Sequence, residues 1–97
     1  MRIRYHALAR EDIAEILQYY NAEAGHNVAV EFFEELHKNI RRIAANPQSF
    51  PIVRGMIRRC LLGRFPHQIN YEIVDTKEIK ILVVKHQRRS PDFGLDR

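Results

Sequence analysis

Residues 78–93 read EIKILVVKHQRRSPDF, and the fold turns on this stretch. From Ile81 to Val84 both alternating positions are apolar, so a strand here has no wet face. Such a strand belongs inside a sheet, covered by other elements. It stops abruptly at His86-Gln87-Arg88-Arg89, which places imidazole and guanidinium groups at the end of a rigid element, where they can hold an anion or a polar partner. The preceding run, RFPHQINYEIV at 64–74, alternates Ile69, Tyr71 and Ile73 with Gln68, Asn70 and Glu72, a strand with one polar face. Asp75-Thr76-Lys77 supplies the turn between them. Ile57 to Leu62 is a further strand, turning at Gly63-Arg64, and Pro66 fits the first position of the strand that follows.

Towards the amino terminus the periodicity changes. Arg2 to His6 alternates charged and apolar residues, a short first strand. From about Leu8, Ile13, Ile16, Leu17, Tyr20 and Ala24 follow helical spacing, with Glu11, Asp12 and Glu15 near the helix start, and Gly25 ends the helix. A second helix runs to about Ala45 with a stripe that includes Phe32, Phe33, Leu36, Ile40 and Ile43. Asn46-Pro47 stops it, because the residue before proline is driven out of helical geometry. So short a connection makes the helices an antiparallel hairpin. The expected fold is α+β, ordered β-α-α-β-β-β, with the helical hairpin on a mainly antiparallel twisted sheet of about four strands and the first strand crossing back beside the last.

With 97 residues the chain is read as one domain, 1–97. No run approaches a membrane span, and MRIRYHALARED lacks the apolar core of a signal peptide. The single Cys60 cannot form an intrachain disulfide and reads as a small buried hydrophobe in a reducing compartment, so the cytoplasm is the expected location. His26, His37, His67 and His86 fall in different elements and Cys60 has no thiol partner, so no metal site and no cofactor are expected. There is no glycine-rich phosphate loop. The formal net charge is +4, unevenly spread: Arg54 to Arg97 hold ten Lys/Arg against five Asp/Glu, whereas residues 1–53 are close to neutral. A basic sheet region points to an acidic partner, either nucleic acid or an acidic protein surface.

The candidate target- or anion-binding residues are Arg58, Arg64, His67, His86, Arg88 and Arg89. Cleavage of RNA without a metal needs a base, an acid and cations for the phosphate charge; His86, Arg64 and Arg89 would be the catalytic set if the protein were a nuclease. On the second helix, Val28, Val30 and Phe32 lie beside the inward stripe and are candidates for covering by a partner segment. Tyr71 sits within an apolar alternation and reads as core.

The run Arg64-Phe65-Pro66-His67 with Tyr71, then Ile81-Leu82-Val83-Val84-Lys85-His86 and Arg88-Arg89-Ser90-Pro91-Asp92-Phe93, resembles the RelE/ParE family of bacterial toxins, as does the layout of nearly the whole chain. The resemblance implies the toxin of a type II toxin-antitoxin pair, of the plasmid-stabilisation type, bound and masked by a cognate antitoxin, meeting operator DNA only through that antitoxin and having no membrane role. RelE-like members cut messenger RNA in the ribosome, whereas ParE-like members block DNA gyrase. Where the nucleases often carry an arginine three positions before the strand tyrosine, this chain has Gln68; where they carry a basic residue after the last strand, it has Gln87; near the end Phe93 replaces a tyrosine. These departures favour the ParE-like reading, a toxin that binds a protein target such as gyrase and is not an enzyme. The alternatives are a metal-independent, ribosome-dependent endoribonuclease and a degenerate, non-toxic module that still binds antitoxin.

Overall fold

The computed structural model describes residues 1–97. Strand β1 (Arg2–Tyr5) leads into α1 (Ala7–Glu23) and α2 (His26–Ala45). A 3-10 turn (Pro47–Ser49) follows, then β2 (Ile52–Arg54), β3 (Ile57–Leu61), β4 (His67–Asp75) and β5 (Glu78–His86). The strands form one mixed sheet in the order β1-β5-β4-β3-β2, with β1 parallel to β5 and the other pairs antiparallel. The expected order and helical hairpin are therefore present, with β1 beside β5.

The sheet has five strands, not four. The added strand, β2, is three residues long, exposed throughout, and pairs with β3 across an irregular register. Ile52-Val53-Arg54 lies between Pro51 and Gly55 and buries neither face, so it carries no alternation that could mark it as a strand.

Local chemistry accounts for the element ends. The His6 ring caps α1, its Nδ1 accepting the Leu8 N–H at 3.1 Å. Gly25, at φ 98°, makes the break between the helices, a conformation that L side chains rarely adopt. The hairpin covers one sheet face, where Phe32, Leu36, Ile40, Ile69, Tyr71 and Ile81 form the centre of the core with Cys60. Phe33, placed on the inward stripe by spacing, is instead 48% exposed, and its ring stacks on His37 with centroids 4.2 Å apart.

The second apolar face of β5 is covered by the chain's own last residues. Leu95 packs with Ile57, Leu82 and Val83, and Phe93 lies against this small cluster. Gly94, at φ 81°, brings the backbone so close that an added Cβ would stand 2.7 Å from Val83 side-chain atoms. Lys85, only 4% exposed, holds this C-terminal segment by donating from Nζ to the carbonyls of Ser90, Pro91 and Phe93 at 2.9–3.1 Å. Burial lowers its pKa; nearby Arg89 and Arg97 push the same way against Asp92.

Candidate functional site

The six candidate target- or anion-binding residues do not form one cluster. Arg58 is half-buried and already committed: its Nη1 donates to the carbonyls of Phe50 (2.8 Å) and Gln48 (3.2 Å), tying β3 to the loop after α2. Tyr71 Oη ties down the same loop by donating to the Pro47 carbonyl at 2.5 Å. Burial, with Cys60 assisting and Arg58 opposing, pushes the Tyr71 phenol up to about 12. Arg58 is thus a structural clamp rather than an open edge cation.

Arg64 sits on the β3–β4 turn and reaches back to α2, its Nη2 lying 3.1 Å from Glu31 Oε2. Glu35 builds that turn. Its Oε2 accepts the backbone N–H of Gly63 at 2.9 Å and of Arg64 at 3.3 Å, and Asn39 donates to the same carboxylate. Burial disfavours the charged form, but the N–H groups of Arg64 and Gly63, with Lys38 and Asn39, outweigh it and hold the Glu35 pKa below its ordinary value.

His67 is not an edge residue. It is 6% exposed, with ring centroids 5.0 Å from Phe32 and 5.9 Å from Tyr20. Burial, reinforced by His86, lowers its pKa to about 4, so the ring is neutral at physiological pH. Its Nδ1 has no hydrogen-bond partner. Phe32 is likewise fully buried, in contact range of Tyr20, Phe65 and His67, so it belongs to the core and offers no surface to a partner. Val28 is half-buried and Val30 exposed.

His86, Arg88 and Arg89 do project from the end of β5, and all three are exposed. His86 Nδ1 accepts the Arg88 N–H at 3.0 Å; this bond leaves Nε2 to carry the proton of the neutral ring. The rings of His86 and His67 are 5.4 Å apart. The Arg89 guanidinium stacks 3.8 Å above the Phe93 ring, which pre-orders it at modest energetic gain. Neither Arg88 nor Arg89 is ion-paired.

His67, His86, Arg89 and Phe93 share a groove of about 890 Å³ between α1 and the end of β5. Its other wall is α1, presenting Leu8, Glu11, Glu15 and Tyr19. This wall was not anticipated from sequence, although Leu8, Glu11, Glu15 and Tyr19 fall at helical spacing and so on one face. Arg64 is not part of the groove. Of the candidate catalytic set, His86 and Arg89 are brought together and Arg64 is directed to Glu31.

Fold and site together define a small α+β protein with a two-helix hairpin over a mixed sheet and a groove that sets carboxylates against cations at the end of β5. A family profile described as "ParE toxin of type II toxin-antitoxin system, parDE" matches residues 3–91. The chain belongs to this ParE toxin family. Among solved structures, one described as "Chromosomal ParDE TA system from P. aeruginosa" is similar, with a TM-score of 0.76 and 21% identity over 89% of this chain and 95% of that one. At that identity the likeness establishes the fold. No curated protein matches the chain. No helix is long and apolar enough to cross a membrane.

Proposed function

We propose that this ParE-family protein is a cytoplasmic, growth-inhibiting toxin that binds a protein target, DNA gyrase, and is held inactive by a cognate antitoxin, through which alone it meets operator DNA. The observation that carries the reading is the composition of the groove at His86. Glu11 and Glu15 stand in its wall, and Arg64 is paired with Glu31 outside it. Unpaired carboxylates repel a phosphodiester, and the cation nearest the turn is already engaged, which disfavours RNA cleavage and suits a polypeptide of mixed charge. Exposed Arg88 and Arg89 at the same corner supply the recognition surface for the target. The test is one protein preparation assayed side by side for gyrase-dependent supercoiling and for messenger RNA cleavage during translation. Loss of supercoiling with intact RNA is expected; cut RNA with normal supercoiling overturns the reading.

One observation favours a ribosome-dependent endoribonuclease as the second reading: His67, His86 and Arg89 line one groove, so His86 could act as acid or base with Arg89 as phosphate clamp. In that case His86→Ala and Arg89→Ala each abolish translation inhibition. Inhibition that survives both excludes it. A chain harmless in both assays is the degenerate antitoxin-binding module.

A further inference from the structure

The sheet has two outer strands, β1 and β2, and their edges are built differently. The β2 edge is short and broken: Pro51 precedes it, the strand is three residues long, and its register shifts between Ile52 and Arg54. Such features blunt an edge against pairing. None of them is present on β1, where Arg2 to Tyr5 run in unbroken parallel register with Glu78 to Ile81. The Arg2 N–H donates to the Lys77 carbonyl at 2.6 Å and the His6 N–H to the Ile81 carbonyl at 2.9 Å, so the even-numbered residues turn their backbone toward β5. Successive residues of a strand bond to opposite sides. The N–H and C=O groups of Ile3 and Tyr5 therefore point outward, where there is no further strand.

We propose that the free edge of β1 receives an extended acidic segment of the protein target as an added strand, its carboxylates on the face of Arg2 and Arg4 and its apolar side chains on the face of Ile3 and Tyr5. The inference rests on the target-binding reading above and adds a second contact, with the conformation and charge pattern of the segment that makes it. A sheet edge with free donor and acceptor groups is a template for main-chain pairing. The side chains select the occupant. Ile3 and Tyr5 are half-buried against the core, with the Arg10 guanidinium 4.8 Å over the Tyr5 ring, whereas Arg2 and Arg4 are exposed on the opposite face. Both arginines share the single carboxylate of Glu78, at 3.2 and 3.3 Å, which leaves positive charge in excess at the edge. A second copy fits poorly: pairing Ile3 of one copy with Tyr5 of another about a two-fold axis sets Arg4 directly opposite Arg4, where cross-strand side chains come closest. A strand with carboxylates at those positions is attracted instead. The target also requires more surface than one corner supplies. Stable interfaces bury roughly 1,200–2,000 Å², beyond what Arg88 and Arg89 offer by themselves. The β1 edge borders the same side of β5, and its last paired residue, Tyr5, lies opposite Ile81, roughly 17 Å along the strand from His86.

The test uses the full chain with purified intact gyrase. Hydrogen exchange in residues 2–6 is followed by mass spectrometry, with fragmentation that resolves single amides, in free and gyrase-bound protein. The His6 amide, already bonded to Ile81, is the internal reference. Binding is expected to slow exchange at the Ile3 and Tyr5 amides about tenfold or more while His6 changes little. Ile3→Pro removes one outward N–H and leaves the ladder to β5 in place, and Arg2→Glu with Arg4→Glu reverses the edge charge. Each variant, shown by its thermal melt to be folded, should bind gyrase about tenfold or more weakly, and the loss from charge reversal should shrink at high salt. Gyrase binding with unprotected Ile3 and Tyr5 amides and indifference to both variants overturns the edge inference while leaving gyrase as the target. Protection of these amides only by the product of the neighbouring reading frame, or only by self-association of the free chain, overturns the choice of occupant. Absence of gyrase binding overturns the target reading and this inference with it.

Discussion

Arg97 and Asp12, 85 positions apart in the chain, are joined at 2.6 Å between Nη1 and Oδ2, with a second contact of 3.2 Å from Nη2 to Oδ1. Both side chains are nearly buried, at 10% and 12% exposure. The pair fastens the C-terminal segment to α1 while satisfying backbone groups of β5. Breaking a buried pair by removing one partner leaves the other charge and its backbone contacts stranded, at a cost of roughly 3–5 kcal/mol. Asp12→Ala and Arg97→Ala should each show a loss of that order in urea unfolding. The double variant should lose less than the sum, which a double-mutant cycle reads directly.

His67 makes stability depend on pH in a defined window. Its folded pKa, about 4, lies below the ordinary 6.5, so between these values the unfolded chain binds the proton that the folded chain excludes. The stabilisation is complete above pH 6.5 and is lost as pH falls toward 4, with a slope of up to about 1.4 kcal/mol per pH unit. His67→Phe keeps an aromatic ring beside Phe32 and Tyr20 and should flatten the profile relative to the parent in this window. Parallel profiles for the two proteins would contradict the burial of a neutral ring.

Tyr71 behaves in the opposite sense at high pH. Its folded pKa, about 12, exceeds the ordinary 10, so its contribution is present below pH 10 and declines as pH rises toward 12. Tyr71→Phe removes the bond to the Pro47 carbonyl. It should cost about 1 kcal/mol at neutral pH and erase this alkaline component. Faster amide exchange in residues 47–51 would accompany it.

Gly94 is expected to tolerate no side chain. Alanine there combines a positive φ with a collision against Val83, for a destabilisation of about 2 kcal/mol or more. An unchanged melting temperature for Gly94→Ala would show that the segment does not lie on the sheet as described.

Sequence periodicity was informative wherever one face of an element meets the core. The hairpin, β4 and β5 were legible for that reason, and Tyr71 and Cys60 were recognised as buried. Alternation names the face of a residue without saying what covers it, so His67 was assigned to a surface although its ring lies edge-on to Phe32 of α2, beneath the hairpin. Arg58 looked like a free cation because the carbonyls of Gln48 and Phe50 that engage it belong to a loop with no periodic signal. The covering of β5's second face by Leu95 and the pairing of Asp12 with Arg97 join distant parts of the chain and leave no local trace. At the groove, His86 and Arg89 were found through their charge. Glu11 and Glu15 were read only as residues favoured near a helix start.

The most direct test of target binding is titration of purified protein into a gyrase supercoiling reaction, alongside an Arg88→Ala, Arg89→Ala double variant shown by its thermal melt to be folded. Inhibition by the parent, weakened about tenfold or more in the variant, is the expected result. Supercoiling that persists at large excess of the parent protein would contradict the assignment of gyrase as the target.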